Sequence, residues 1–348
     1  MSDPALAGLL VISAAGLDRL VGDPRWCLHP VVVMGWWITA LRRLAEAWAG
    51  DAPLRLRLAG GLITTLLVLG SGAAGWLLEH WAPWPLLLIA LASALAGRSL
   101  EQAVQQVLRA LPPAAPEPTD DGAAERALAP ARTALSWIVG RDTASLNRAE
   151  ILRAAAETAS ENAVDGLFAP LFWMLVGAGL WAAGWLSGPG PLALAWAFKA
   201  ASTLDSMLGY RRGRLEWLGT AGARLDDLLV WPACRLVAFS LPLVAGRGLL
   251  GSWRLLQAAL RDGAPDPSPN AGVSQAAYAH AVGVQLGGLN QYANRQKHKP
   301  LLAAGCPLPD AAAVRRMLQL SRRLELLWLL AALLLSAAAG LTARAAAQ

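Results

Sequence analysis

The chain has 348 residues, 55% of them hydrophobic and only 16% charged, with 16 tryptophans against 4 phenylalanines and 3 tyrosines, which is the make-up of a lipid-embedded protein. Its formal charge of +6 sits on arginines spread through connecting segments rather than on one basic face, and this excludes nucleic acid as a partner. Cys27, Cys234 and Cys306 lie far apart with no C-x-x-C pair, so neither a disulfide framework nor a zinc cluster is present.

In chain order, Ala5 to Leu17 and Val31 to Leu41 are short apolar runs separated by the turn-rich GDPRWCLHP, which carries Asp23 and His29. Both fall short of the roughly 20 residues a spanning helix needs, so the second is expected to be re-entrant or interfacial. Leu58 to Leu78, Pro85 to Gly97, Val164 to Leu186, Leu192 to Leu208 and Leu324 to Leu341 read as spans or near-spans, and Leu228 to Ala245 as a segment that dips in and returns or packs within the bundle. The stretch 110–130, rich in Pro and Ala, reads as a mobile loop. Trp36, Trp37, Trp76, Trp81, Trp84, Trp181, Trp185 and Trp328 lie near predicted span ends as interfacial anchors. Basic residues place 42–57, 98–162, 199–227 and 247–323 on the cytoplasmic face, and with them every polar motif. The fold expected is an all-α, polytopic membrane bundle with re-entrant or interfacial helices: one membrane-embedded catalytic domain over 1–348, with 262–323 as a cytoplasmic-side segment.

A charge in mid-bilayer costs at least roughly 2.5–3.5 kcal/mol, so charges retained in so apolar a chain are paired, hydrated or engaged with a ligand. Arg153, Glu157, Glu161 and Asp165 recur every fourth residue and form one stripe on a helix, either solvated or, with Asp165 at the mouth of a span, a set of oxygen ligands suited to Mg²⁺ and a phosphate. Asp205 ends an apolar helix close to Lys199 and Arg211, where a satisfied aspartate and a phosphate site are both natural. Adjacent Asp226 and Asp227 point about 100° apart on a helix and serve one ligand only if the backbone turns there. Arg224 stands three residues before Asp227, and Arg235 lies deep in an apolar run. The proline-rich loop before Asn270 opens an amphipathic helix whose first amides suit an anion. Asp142 or Thr143 reads as a helix cap that leaves Arg141 available for an anion. Neither a Walker A sequence nor G-x-G-x-x-G occurs.

The ordered set GDPxxxxHPV, GRDT, Glu157 to Gly166, TLDSMLGY, ARLDDL, SPNAG and LGGLNQY, from about Asp18 to Tyr292, resembles the integral-membrane adenosylcobinamide-phosphate synthase family of cobalamin biosynthesis, CobD/CbiB. The resemblance implies a ligase of a bacterial inner membrane, its active face cytoplasmic. It would join adenosylcobyric acid to an aminoalcohol phosphate with ATP and Mg²⁺. Under it, Asp205, Asp227, Glu157 and Glu161 are candidate catalytic groups. Asp165, Asp205, Asp226, Asp227 and Glu161 are candidate metal ligands, and Arg141, Lys199, Arg211, Arg224, Arg235, Asn270 and His29 candidate substrate or phosphate contacts. Other corrinoid-assembly enzymes or a second copy of the chain are conceivable partners. The same charges would also serve a corrinoid or anion transporter or an AmpE-like sensor, although no paired halves are visible. Ser202 departs from the family, which usually has Asn before TLDSM.

Overall fold

The computed structural model of the chain describes residues 4–24, 28–113, 121–292 and 295–346. Cys27, the centre of the expected 110–130 loop and the Ala293–Asn294 dipeptide lie outside them.

Helix α1 (Pro4–Val21) is followed by α2 (Pro30–Ala49), whose first turn is set by proline and by the His29 side chain, which accepts the Val31 amide. Next come α3 (Pro53–Trp81) and α4 (Trp84–Ala92), then a break at 93–96 before α5 (Gly97–Ala110), α6 (Asp121–Ser136) and α7 (Arg148–Ala163). A five-residue π turn, Val164–Phe168, joins α7 to α8 (Ala169–Ala182). The remaining elements are α9 (Pro191–Leu208), the short α10 (Leu215–Leu218), α11 (Thr220–Val244), α12 (Gly248–Gly263), α13 (Ala271–Val282), strands β1 (Leu286–Tyr292) and β2 (Arg295–Leu302), and α14 (Ala311–Ala346). Among the described residues, four helical stretches are long and apolar enough to cross a membrane: Pro53–Trp81, Trp84–Ala110, Arg148–Ala182 and Thr220–Val244. The protein is a polytopic helical membrane protein.

Several expectations change. The run after His29 is a full 20-residue helix, because its polar second half RRLAEAWA continues the helical pattern. Helix α11 is unbroken through Pro232, so nothing dips and returns there. The 110–130 loop shortens, since alanine-rich sequence outweighs one proline and α6 starts at Asp121. The cap of α7 is Asn147, in a reciprocal box with Glu150, rather than Asp142 or Thr143. Helix α13 is buried on every side rather than amphipathic, and LGGLNQY forms a strand. Trp181 and Trp328 are buried in packed interior, not anchors.

The chain divides into two compact units. The first comprises Met1–Arg98, Asp165–Pro232 and Trp328–Gln348. Here α3 packs on α2 and α9, α9 on α8, and α1 on α4 and α8. Met34, Ile38, Leu56, Ile63, Leu204 and Leu218 are among the buried residues of its core. The outer stripe of α3, Leu54, Leu58, Leu62, Leu66 and Leu69, is more than half exposed, so this helix is apolar all round and faces lipid. Its inner side is built for close approach: a Cβ on Gly75 would stand 2.8 Å from the Ala193 Cα. At the end of α3, Glu79 is 5% exposed and accepts the amides of Gly190 (3.0 Å), Leu192 (2.5 Å) and Ala193 (3.1 Å). This carboxylate caps α9, whose Gly190 cap position has no side chain to do so.

The second unit comprises Ser99–Val164 and Ala233–Leu327. At its centre is α13, against which α7, α12 and the antiparallel hairpin pack. The hairpin register is irregular between Leu286 and Gly288, where Gly287 (φ 81°) and Gly288 (φ 92°) take left-handed conformations that side chains rarely adopt. This is the physical content of the LGG motif.

Gly75→Val should force α3 and α9 apart and cost about 1–3 kcal/mol, the usual range for overpacking. Gly70→Val on the same helix, where a Cβ meets open space, should cost far less. Thermal unfolding of the two variants in detergent checks this.

Candidate active site

In the first unit, two helices, the π turn and the segment after α1 deliver a set of charged groups. Lys199 and Asp205 come from α9, Asp226 and Asp227 from α11, Asp165 from the π turn and Asp23 from the chain following α1. The Lys199 ammonium feels the charges of Asp165, Asp23 and Asp226, and Asp226 feels those of Asp205 and Asp227. One lysine among this many carboxylates leaves a negative potential that favours a bound cation. Because α11 runs unbroken, Asp226 and Asp227 point about 100° apart and do not act as a pair on one ligand. Both are half-buried, and Asp226 Oδ1 is buried with no hydrogen-bond partner.

A buried carboxylate oxygen without a donor is costly, and a cation would relieve it. Among the described residues, no three His, Cys, Asp or Glu side chains gather tightly enough to hold a metal by themselves. The donor set therefore fits Mg²⁺, which is commonly held by one or two carboxylates and completed by phosphate and water. It does not fit a closed protein cage.

His29 has a different place. Its Nδ1 accepts the Val31 amide at 3.2 Å, and its Nε2 lies 3.4 Å from Asp23 Oδ1. The Nδ1 contact ties the ring to the start of α2, beside Asp23. Arg211 and Arg224 are exposed.

The second unit holds Arg141, Glu157, Glu161, Arg235 and Asn270. Glu157 is 3% exposed. Its Oε2 accepts from Arg141, its Oε1 accepts the Gly287 amide at 3.0 Å, and Arg153 Nε lies 3.9 Å from Oε1. Arg141 also donates to the Asn290 side chain, while Arg153 donates to the carbonyls of Gly287 (2.9 Å) and Leu289 (2.6 Å). Arg235 donates to the Asn270 side chain and to the Pro269 carbonyl (2.8 Å), so these two expected ligand contacts meet each other and fasten the SPNAG loop. Of the stripe predicted from Arg153 to Asp165, the residues up to Glu161 lie on α7, while Asp165 lies in the π turn and belongs to the first unit.

Arg141, Glu157 and Glu161 border a cavity of about 220 Å³ whose wall also includes Gln275, Asn290 and Lys299. Gln275 Nε2 donates to Glu161 Oε2 at 2.6 Å. Lys299 Nζ stands 3.5 Å from Asp266 Oδ2. The sequence reading missed Gln275, Asn290 and Lys299. Their signals were a lone amide in an alanine-rich helix, the Asn inside LGGLNQY, and a lysine on a strand read as something else.

The family model described as CobD/Cbib protein matches residues 11–321. The chain is 40% identical over 334 residues to the cobalamin biosynthesis protein CobD of Synechocystis, covering 94% of this chain and 91% of that one. It is 38% identical over 340 residues to the CobD of Geobacter metallireducens (94% and 96% covered) and 36% identical over 338 residues to the cobalamin biosynthesis protein CbiB of Salmonella typhimurium (94% and 96%). No solved structure matches the chain.

Removing the Glu157 carboxylate would leave Arg141 and Arg153 buried around a missing anion. Glu157→Ala should therefore destabilise the protein by about 3–5 kcal/mol, the scale for breaking a buried ion pair. Denaturant or thermal melts in detergent would show it, with proteolysis between Val284 and Leu302 as a local readout.

Proposed function

Because the chain belongs to the CobD/CbiB family of cobalamin biosynthesis, we propose that it is an ATP-dependent ligase of the cytoplasmic membrane. It forms an amide between the free propionate carboxylate of adenosylcobyric acid and the amine of (R)-1-amino-2-propanol phosphate or ethanolamine phosphate. The observation that carries the reading is the buried, unpartnered oxygen of Asp226 within the charges of Lys199 and Asp205. The relatives' names supply the pathway.

A carboxylate is a poor acyl donor until one oxygen becomes a leaving group. In the proposed sequence a substrate carboxylate oxygen bonds to the γ-phosphorus of ATP, the bond from that phosphorus to the β–γ bridging oxygen breaks, and ADP leaves. The amine nitrogen then bonds to the acyl carbon, the bond from that carbon to the phosphate oxygen breaks, and inorganic phosphate leaves. The surplus amine proton passes to a carboxylate base. Bound Mg²⁺ would neutralise charge on the transferring phosphoryl group. Asp226 and Asp205 are the residues that would hold it, with phosphate and water completing its shell. Lys199, where protonated, would add positive charge toward the phosphates, and exposed Arg211 and Arg224 would contact the nucleotide. Asp227, about 100° round α11 from Asp226, is the proposed proton acceptor.

Purified protein in detergent, given adenosylcobyric acid, aminopropanol phosphate, ATP and Mg²⁺, should yield the amide by mass and one ADP per amide. AMP in place of ADP would replace the acyl phosphate by an adenylate. Corrinoid moved across proteoliposomes without amide would sink the ligase reading. Asp205→Asn, Asp226→Asn and Asp227→Asn should each lower turnover at least about 100-fold, the scale of losing one electrostatic transition-state contact, with melting temperature near wild type. Wild-type rates in all three would remove the aspartates from the mechanism.

A further inference from the structure

The steps above assign no role to the cavity of the second unit, and its wall is incomplete in one specific way. Gln275 is 1% exposed. The orientation of its amide is fixed chemically: Glu161 Oε2 lies 2.6 Å from one terminal atom, and a carboxylate can only accept, so that atom is the nitrogen. The other atom, Oε1, is therefore an acceptor, and it is buried with no donor in reach. Most buried polar atoms in proteins are satisfied, so an orphan on the wall of a cavity marks a position for a ligand donor.

What surrounds that oxygen specifies the donor. Glu161 brings a carboxylate beside it, so the vacant corner is built of acceptors and favours a group with several N–H bonds and positive charge, which is a primary ammonium. Glu157 adds little to this corner because its charge is met by Arg141, Arg153 and the Gly287 amide. Elsewhere on the lining, Arg141 and Lys299 supply positive charge, with Asp266 at 3.5 Å from the lysine as the carboxylate facing it. Size restricts the ligand further. At about 220 Å³ the cavity falls below the roughly 300–1,000 Å³ of sites for drug-sized ligands, so it suits a small molecule rather than a nucleotide or a corrin.

We infer that this cavity takes a small zwitterion, with its primary ammonium held between Gln275 Oε1 and the Glu161 carboxylate and its anionic end toward Arg141 and Lys299. Gln275 is then the residue that reads the amine. The inference rests on the ligase reading only for the choice of probe, which is the amine-bearing phosphate substrate.

The test is calorimetric titration of the purified full chain in detergent with ethanolamine phosphate and with ethyl phosphate, which has the same anionic end but no amine. Wild type should bind the amine at least about tenfold more tightly, and Gln275→Leu should abolish that preference while leaving ethyl phosphate binding unchanged. If Gln275→Leu does not fold, Glu161→Gln keeps a hydrogen-bonding partner for Gln275, removes the charge, and should give the same loss. Equal binding of the two probes by wild type would overturn the inference. So would binding of Mg²⁺ alone that depends on Gln275, which would make the corner a cation site. In turnover, Gln275→Leu should raise KM for the aminoalcohol phosphate at least about tenfold, leaving kcat and the corrinoid KM near wild type; an unchanged aminoalcohol KM overturns the assignment while sparing the ligase reading. Amine-selective binding without any amide product would do the reverse.

Discussion

One buried anion organises the second unit. Glu157 sits on α7 with almost no access to solvent, and its two oxygens are taken up by Arg141, by the Gly287 amide and, at longer range, by Arg153. The two guanidiniums also hold the backbone and Asn290 of β1. A two-stranded hairpin is marginal by itself, so its attachment to α7 and α13 depends on this arrangement being complete. The cavity wall inherits its order from the same contacts, since Arg141, Glu157 and Asn290 all line it. Glu157, read from sequence as catalytic, has the environment of a residue that holds the architecture together.

The same accounting runs through the first unit. Glu79 accepts three amides at the start of α9, those of Gly190, Leu192 and Ala193. Such groups are tolerated in an apolar chain because their hydrogen-bonding capacity is met internally. Asp226 Oδ1 and Gln275 Oε1 are among the buried atoms for which this is not so, and both lie beside other ionisable groups. An unmet acceptor costs stability unless something arrives to meet it, which is why these two positions carry the ligand arguments above.

Much of this was legible in the sequence. The membrane class, α3, α9 and the aspartates of α9 and α11 follow from long apolar runs interrupted by charges too costly to be incidental. The ordered motifs gave the family, which the family model and the curated relatives bear out. What stayed hidden depends on backbone detail or on distant pairing. A π turn inserts itself into an otherwise regular helix at Asp165, and no residue type announces it. The β-hairpin needs two left-handed glycines, which a reader following helical periodicity passes over. Helix α13 carries small residues on every side, so it has no amphipathic signature although it is the most enclosed element of its unit. Glu79 looks like a residue at a helix end until its partners, more than a hundred positions later, are known.

That long-range cap bears on how the protein is assembled in a bilayer. The first amides of α9 have no acceptor of their own, because its cap position is glycine and its first residue is proline. They become compatible with a membrane only when the end of α3 is beside them. Since α3 is synthesised well before α9, the acceptor is already in place when the later helix emerges. Chain order thus matches the order in which polar groups need shelter, and a circular permutation that placed α9 ahead of α3 would reverse it.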